Sequence, residues 1–268
     1  LEQRQPMSLP AYSTMFWVTA VLAMILVGIS KAGFGSGTGL VATPLLALTI
    51  PVAEAAALLL PLLIIADMFA LYHYWQKFDR RLIRLMLPCA AVGIFVGALF
   101  FESFSHNERV LKLGIGVLSI SFVLFEVFRT QIFDRLGEKR PSSLSGVFLS
   151  GLAGFTSTLA HAGGPPATMY LLPQQLPRQL FVGTSVLFFA VVNLLKLIPY
   201  GYLGLLKVGN LSTILILAPL AYVGVRLGVY LNGRITDKWF NRLIYALLFL
   251  TGVQLILGTN LLDFALKR

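Results

Sequence analysis

Few ionisable side chains fall inside the apolar part of this 268-residue chain, and each is costly there. Even lenient insertion scales charge about 2.5 to 3.5 kcal/mol for an Asp, Lys or Arg at the centre of a bilayer. Asp67 lies midway along the apolar run Ala53 to Trp75, Lys196 near the end of Leu180 to Tyr200, Arg226 in the middle of Leu211 to Leu231, and Glu126 near the end of Val110 to Phe128. Lys31 and His161 adjoin two glycine-rich breaks, Gly28 to Leu40 and Gly154 to Pro166. Irregular backbone at membrane depth is tolerated only where protein or a water-filled cavity surrounds it, so both breaks read as sites.

The chemistry they offer is anion binding. Glycines let backbone approach a ligand, and short helices starting near Thr38 and Pro165 aim unpaired N–H groups and positive dipole ends at it. Ser36, Thr38, Thr156, Ser157 and Thr158 add hydroxyl donors, Asn193 an amide, and Lys31, Lys196 and Arg226 positive charge that outweighs the single central acid, Asp67. An excess of buried cations is tolerable when an anion completes it. The candidate substrate-binding set is therefore Lys31, Gly33, Gly35, Ser36, Gly37, Thr38, Gly39, Thr158, His161, Gly163, Gly164, Asn193, Lys196 and Arg226. Proton coupling needs a group that changes charge, and Asp67 and His161 are the candidates, with a desolvated Lys196 as a third.

Each residue has a plainer alternative. Lys31 and Lys196 can snorkel to an interface, and Arg226 can pair with Asp67. His161 can be a neutral hydrogen-bonded residue, and Thr184 and Ser185 can bond the preceding turn of their own helix. Gly93, Gly97, Gly224 and Gly228 fit close helix packing.

The elements that must position these groups are membrane helices. The chain is 57% hydrophobic and 12% charged, far more apolar than a soluble domain. Spans of suitable length are Tyr12 to Ile29, Ala53 to Trp75, Leu82 to Phe101, Val110 to Phe128, Leu144 to Ala160, Leu180 to Tyr200, Leu211 to Leu231 and Leu243 to Leu262, with short runs at Leu40 to Ile50 and Pro165 to Leu172. The first run is too long for a signal-peptide core and is expected to stay as a resident helix. The net charge of +10 gathers in short loops beside the spans, where the positive-inside rule accounts for it without nucleic acid. The single cysteine, Cys89, excludes an intrachain disulfide or a multi-cysteine metal site, and no metal or cofactor is called for. No Ser/His pair, paired Asp or His-x-x-x-His arrangement supports an enzyme.

The second half repeats the first. At offsets of about 125 to 131 residues, Gly39 falls on Gly164, Thr43 on Thr168, Asp67 on Asn193, Tyr74 on Tyr200, Pro88 on Pro219, Gly93 on Gly224 and Gly97 on Gly228. The expected fold is an all-α polytopic membrane protein, one transporter domain over 1–268. Repeat one covers about 12–128, a cytoplasmic linker 129–143 and repeat two about 144–262. Paired broken segments at matching positions are the best sequence pointer to a transporter site. If the short segments cross, each half has five passes and the repeats are inverted; if they are re-entrant, each has four and the repeats are parallel. The five-pass arrangement gathers Lys31, Arg178, Arg234, Lys238 and Arg242 on the side of the basic loops at 77–84 and 129–140, leaving Arg109, Lys112 and Lys207 opposite apart from the termini. It is preferred on the positive-inside rule.

Several motifs carry a family likeness: the first break followed by Leu40-Val41-Ala42-Thr43-Pro44-Leu45-Leu46, Asp67, Gly163-Gly164-Pro165, Gly183-Thr184-Ser185, and Asn193-Leu194-Leu195-Lys196 with Tyr200. Over about Phe16 to Leu262 the chain resembles the sulfite exporter TauE/SafE family. The resemblance implies an inner-membrane permease for sulfite, thiosulfate, sulfoacetate or another organosulfonate, in exchange with protons; membrane lipid is the expected surrounding, and the sequence leaves a homo-oligomer open. One departure is Thr156 to His161, where relatives carry a plainer, more glycine-rich run, which bears on the substrate. A passive anion channel, or a permease for another oxyanion or carboxylate, is the alternative; a channel conducts but cannot drive an anion uphill with protons.

Overall fold

The computed structural model describes residues 12–34, 38–104, 107–136, 141–206, 211–231, 234 and 237–258. Among them every regular element is helical. The first half runs α1 (Thr14–Ile29), a π turn at Ser30–Phe34, a 3-10 turn at Thr38–Val41 leading into α2 (Ala42–Ala47), then α3 (Val52–His73), α4 (Arg80–Phe104) and α5 (Glu108–Leu136). The second runs α6 (Ser143–Ala160), α7 (Gly164–Leu171) with a 3-10 turn at Leu172–Gln174, then α8 (Arg178–Tyr202), α9 (Leu211–Leu231) and α10 (Asp237–Leu257). Seven described helices are long and apolar enough to cross a membrane. The expected eighth span, Leu243 to Leu262, appears as α10, whose apolar stretch Arg242–Leu257 is shorter; residues beyond 258 lie outside the described ones.

Local chemistry sets corresponding boundaries in the two halves. Ser13 and Ser142 cap α1 and α6, each side-chain oxygen accepting from a backbone N–H three residues on at 3.2 Å, which satisfies a donor that the first turn leaves open. Pro51 and Pro177 precede α3 and α8 in nearly the same conformation (φ −55°, ψ 144° and φ −51°, ψ 142°). The expected helix starts at Thr38 and Pro165 match the 3-10 turn and α7, whose first turn holds Pro165 and Pro166. The middle of the first break, Gly35, Ser36 and Gly37, lies outside the described residues.

Contacts along the helices give their relative directions. Tyr12 donates to Glu54 at 2.5 Å, and further along Lys31 meets Leu63 and Asp67, so α1 and α3 run the same way. The chain between them, containing α2, must therefore travel back. In the second half, Tyr170 at the end of α7 reaches Gly146 near the start of α6, while Gly163 sits against Ala153 and Ser157, so α7 likewise doubles back along α6. Lys77 faces Gly183, Asp67 meets Asn193, and Ala56 and Leu60 cluster with Tyr200, making α3 and α8 antiparallel. Helices α5 and α10 are antiparallel too, since Arg109 bonds the Ile256 carbonyl and Glu126 accepts from Tyr245.

Glycines seat two further helix pairs. A Cβ on Gly28 would lie 2.6 Å from the Gly224 carbonyl carbon, and one on Gly228 2.6 Å from the Ile29 oxygen, so α1 and α9 touch backbone to backbone. A Cβ on Gly93 would lie 1.9 Å from the Gly151 oxygen, and one on Gly154 2.1 Å from the Ala90 oxygen, giving α4 and α6 the same contact. The packing reading of Gly93, Gly97, Gly224 and Gly228 accordingly describes their surroundings. Without a hydrophobic drive between helices in lipid, such close approach supplies dispersion contact in its place.

Candidate functional site

The ends of α1 and α6 bring the charged groups into the interior. The π turn after α1 carries Lys31 inward, a local widening of the helix of the kind often found at functional positions. Helix α6 ends at His161, a left-handed residue (φ 53°), in the place where glycine usually closes a helix. The His161 and Ala162 N–H groups donate to the Ser157 and Thr156 carbonyls at 3.0 and 3.2 Å. That turn swings the imidazole toward α3 and α8.

Two tyrosines hold these ends. Tyr74, just after α3, donates to the Ala32 carbonyl at 2.7 Å, and Tyr200 on α8 donates to the Thr158 carbonyl at 2.8 Å. Donor and acceptor are 42 residues apart in both bonds. Tyr200 is wholly buried and packs with Ala56 and Leu60.

At the centre Asp67, 1% exposed, forms an ion pair through Oδ1 with Lys31 Nζ, which also donates to the Leu63 carbonyl at 3.3 Å. Its Oδ2 accepts from Asn193 Nδ2 at 2.6 Å. Each carboxylate oxygen thus takes one donor, from opposite halves of the chain. Lys196, 0% exposed, donates to the Ser157 carbonyl at 3.1 Å and the Ser157 hydroxyl at 3.0 Å, and bonds His161 Nδ1 at 2.7 Å. His161 Nε2 lies 2.9 Å from the Ala56 carbonyl. A carbonyl only accepts, so Nε2 carries a proton; with Nδ1 accepting from the ammonium, the ring is neutral.

A cavity of about 40 Å³ lies among these groups, lined by Lys31, Leu63, Asp67, Ser157, His161, Gly164, Ser185, Val186, Phe189 and Asn193. It has room for about three waters at about 10 to 15 Å³ each. The structure therefore brings together Lys31, Asp67, His161, Gly164 and Asn193 of the expected set. Lys196 stands just behind the wall, holding Ser157 and His161, which line it. Thr158 turns away: its hydroxyl donates to the Gly154 carbonyl at 3.0 Å. Gly33 packs on Gly228, and Gly163 on Ala153. Thr38 and Gly39 belong to the 3-10 turn, while Gly35, Ser36 and Gly37 are outside the described residues.

Arg226 is a correction. Expected in the binding set, it is exposed on α9, and its alternative role as the ion-pair partner of Asp67 is taken by Lys31. Arg226 lies two residues from both Gly224 and Gly228, which places it about 200° round the helix from the face that packs on α1. Snorkelling fails for Lys196, which is fully enclosed. Thr184 follows its plainer reading, donating to the Leu180 carbonyl at 2.6 Å, and also accepts from the Asp79 N–H at 2.9 Å, clamping the loop that touches Gly183. Ser185, weighed above against a bond to its own helix, lines the cavity together with Phe189, Val186 and Leu63, which the sequence does not single out. The i, i+4, i+8 spacing of Ser185, Phe189 and Asn193 was the available signal, since those positions share a helix face.

Long apolar helices crossing one another around a buried, charged, partly irregular centre define a multi-pass integral membrane protein. The family model described as sulfite exporter TauE/SafE matches residues 20–255, and the chain belongs to that family, whose members are membrane transporters of the sulfite type and not enzymes. No curated protein and no solved structure matches it.

Proposed function

We propose that the protein is a secondary transporter of a small sulfur oxyanion, sulfite or thiosulfate before a bulkier organosulfonate, working by alternating access of two inverted five-pass repeats. The observation that carries this reading is the buried cavity in which Asp67, itself a small oxyanion, is held by Lys31 from one half and Asn193 from the other. Donors that grip a carboxylate in this way also suit a sulfur oxyanion, and Ser157, which accepts from Lys196, keeps its own hydroxyl proton to donate. The cavity's 40 Å³ favours a compact anion over a sulfonate with a tail.

Inverted repeats are supported by the antiparallel pairs α3/α8 and α5/α10, which occupy matching places in the two halves, and by the doubling back of α2 and α7. Repeat one then covers about 12–128 and repeat two about 144–262, with α5 continuing to Leu136 into the expected linker 129–143. The cavity lies among the later turns of α3 and the earlier turns of α8, while Ala56, Leu60 and Tyr200 fill the space toward the opposite end. Rocking of one repeat against the other would exchange which end is filled.

Purified protein in proteoliposomes should show saturable flux of sulfite or thiosulfate above protein-free vesicles, with taurine and sulfoacetate carried more weakly. Absence of saturable flux for all four anions would overturn the reading.

A further inference from the structure

We infer that Asp67 is a built-in substitute for the substrate, which a proton removes, so that proton and anion load together and cross in the same direction. The inference rests on the anion-site reading above. Both oxygens of Asp67 are occupied by donors an incoming oxyanion needs, Lys31 Nζ and Asn193 Nδ2, and all three residues line the same cavity. An anion cannot take those donors while a charged carboxylate holds them, because two like charges would share one small pocket. A proton taken from water onto a carboxylate oxygen neutralises Asp67 and releases Lys31. The anion then binds Lys31 and Asn193, and on release the proton returns to water and the ion pair reforms. No other bond is made or broken.

The neighbours fit this role. The groups that act on Asp67 are Lys31 from the π turn and Asn193 and Lys196 from α8, while His161 from the α6–α7 break lines the same cavity. Helix α2 offers no charged side chain, and Arg226 of α9 acts on His73 toward the end of α3. Lys196 and His161 are saturated by Ser157, each other and Ala56, which leaves the Lys31–Asp67 pair as the switchable one. With Asp67 neutral, Lys31, its former ion-pair partner at the cavity wall, is free to meet the incoming oxyanion. The empty carrier returns with its ion pair closed. This coupling runs opposite to the exchange with protons that the family resemblance implies.

The test uses full-length protein and thiosulfate. Wild-type affinity in detergent should rise as pH falls, approaching tenfold per pH unit where Asp67 titrates, since binding and protonation are reciprocally linked. Asp67→Asn should bind thiosulfate with little pH dependence. In vesicles with an alkaline lumen and acidic medium, wild type should accumulate thiosulfate, whereas Asp67→Asn should only equilibrate it. In wild type, adding thiosulfate near neutral pH should raise the infrared carbonyl band of a protonated carboxylic acid, a readout that needs no variant to fold. Depletion of thiosulfate from the alkaline lumen, affinity that ignores pH, an unchanged slope in Asp67→Asn, or no carbonyl band would each overturn the inference while leaving anion transport in place. Failure of wild type to bind sulfite, thiosulfate, taurine or sulfoacetate at any pH would remove the anion site itself, and the inference with it.

Discussion

Lys196 and Asp67 show how the same cost can be met in two ways. Asp67 meets an opposite charge, Lys31, and an amide. Lys196 has no carboxylate and is satisfied by a backbone carbonyl, a hydroxyl and an imidazole, which uses all three ammonium donors. Its role is to hold Ser157 and His161 at the cavity wall. Lys196→Met should keep the helix apolar and inserted yet let both residues swing away. A hydrogen bond to a charged group contributes about 1.5 to 3 kcal/mol, so thiosulfate flux should fall roughly ten- to hundredfold at equal protein per vesicle. Unchanged flux would mean that the wall does not need this support.

At the scale of elements, the interior is reached because helices α1 and α6 pack closely on helices of the other half. Gly93 is the tightest test. A Cβ there would meet the Gly151 oxygen at 1.9 Å, and both atoms are fixed to helix backbone. Gly93→Ala should therefore push α4 from α6, with an overpacking cost of about 1 to 3 kcal/mol, read as a lower midpoint for thermal unfolding in detergent. Gly114→Ala on α5 is the control, because nothing lies within 4 Å of its added Cβ. There the gain in helix propensity, up to about 1 kcal/mol, should leave the midpoint equal or higher. Equal losses in both would show that the close contact at Gly93 does not set the cost of the substitution.

The whole molecule is a question of sidedness. In a background with Cys89→Ser, single cysteines at Gly137, Thr236 and Asn210 separate the two arrangements of the repeats. Five passes per half put positions 137 and 236 on one face and 210 on the other; four passes put 137 and 210 together and 236 apart. Labelling of intact cells with a membrane-impermeant maleimide should modify Asn210→Cys and spare the other two. Modification of Thr236→Cys with sparing of Asn210→Cys would reverse the topology and with it the alternating-access reading.

The sequence by itself determined that the chain lives in a membrane, because no soluble core could absorb its apolar runs, and that its two glycine-rich breaks mark the interior. It also pointed to the correspondences Asp67 with Asn193 and Tyr74 with Tyr200, since matching residue types at a constant offset are visible without coordinates. Partners were another matter. Asp67 could face Lys31, Lys196 or Arg226 as far as spacing goes, and only the packing of α9 through Gly224 and Gly228 turned Arg226 outward and left Lys31 as the counter-ion. Cavity walls such as Leu63 and Val186 were equally hidden, because a helix face becomes a wall only when another helix stands opposite it. Helix direction was decided by tertiary contact as well: composition reads the same along a span in either direction, whereas pairs such as Lys77 with Gly183 and Ala56 with Tyr200 admit only one.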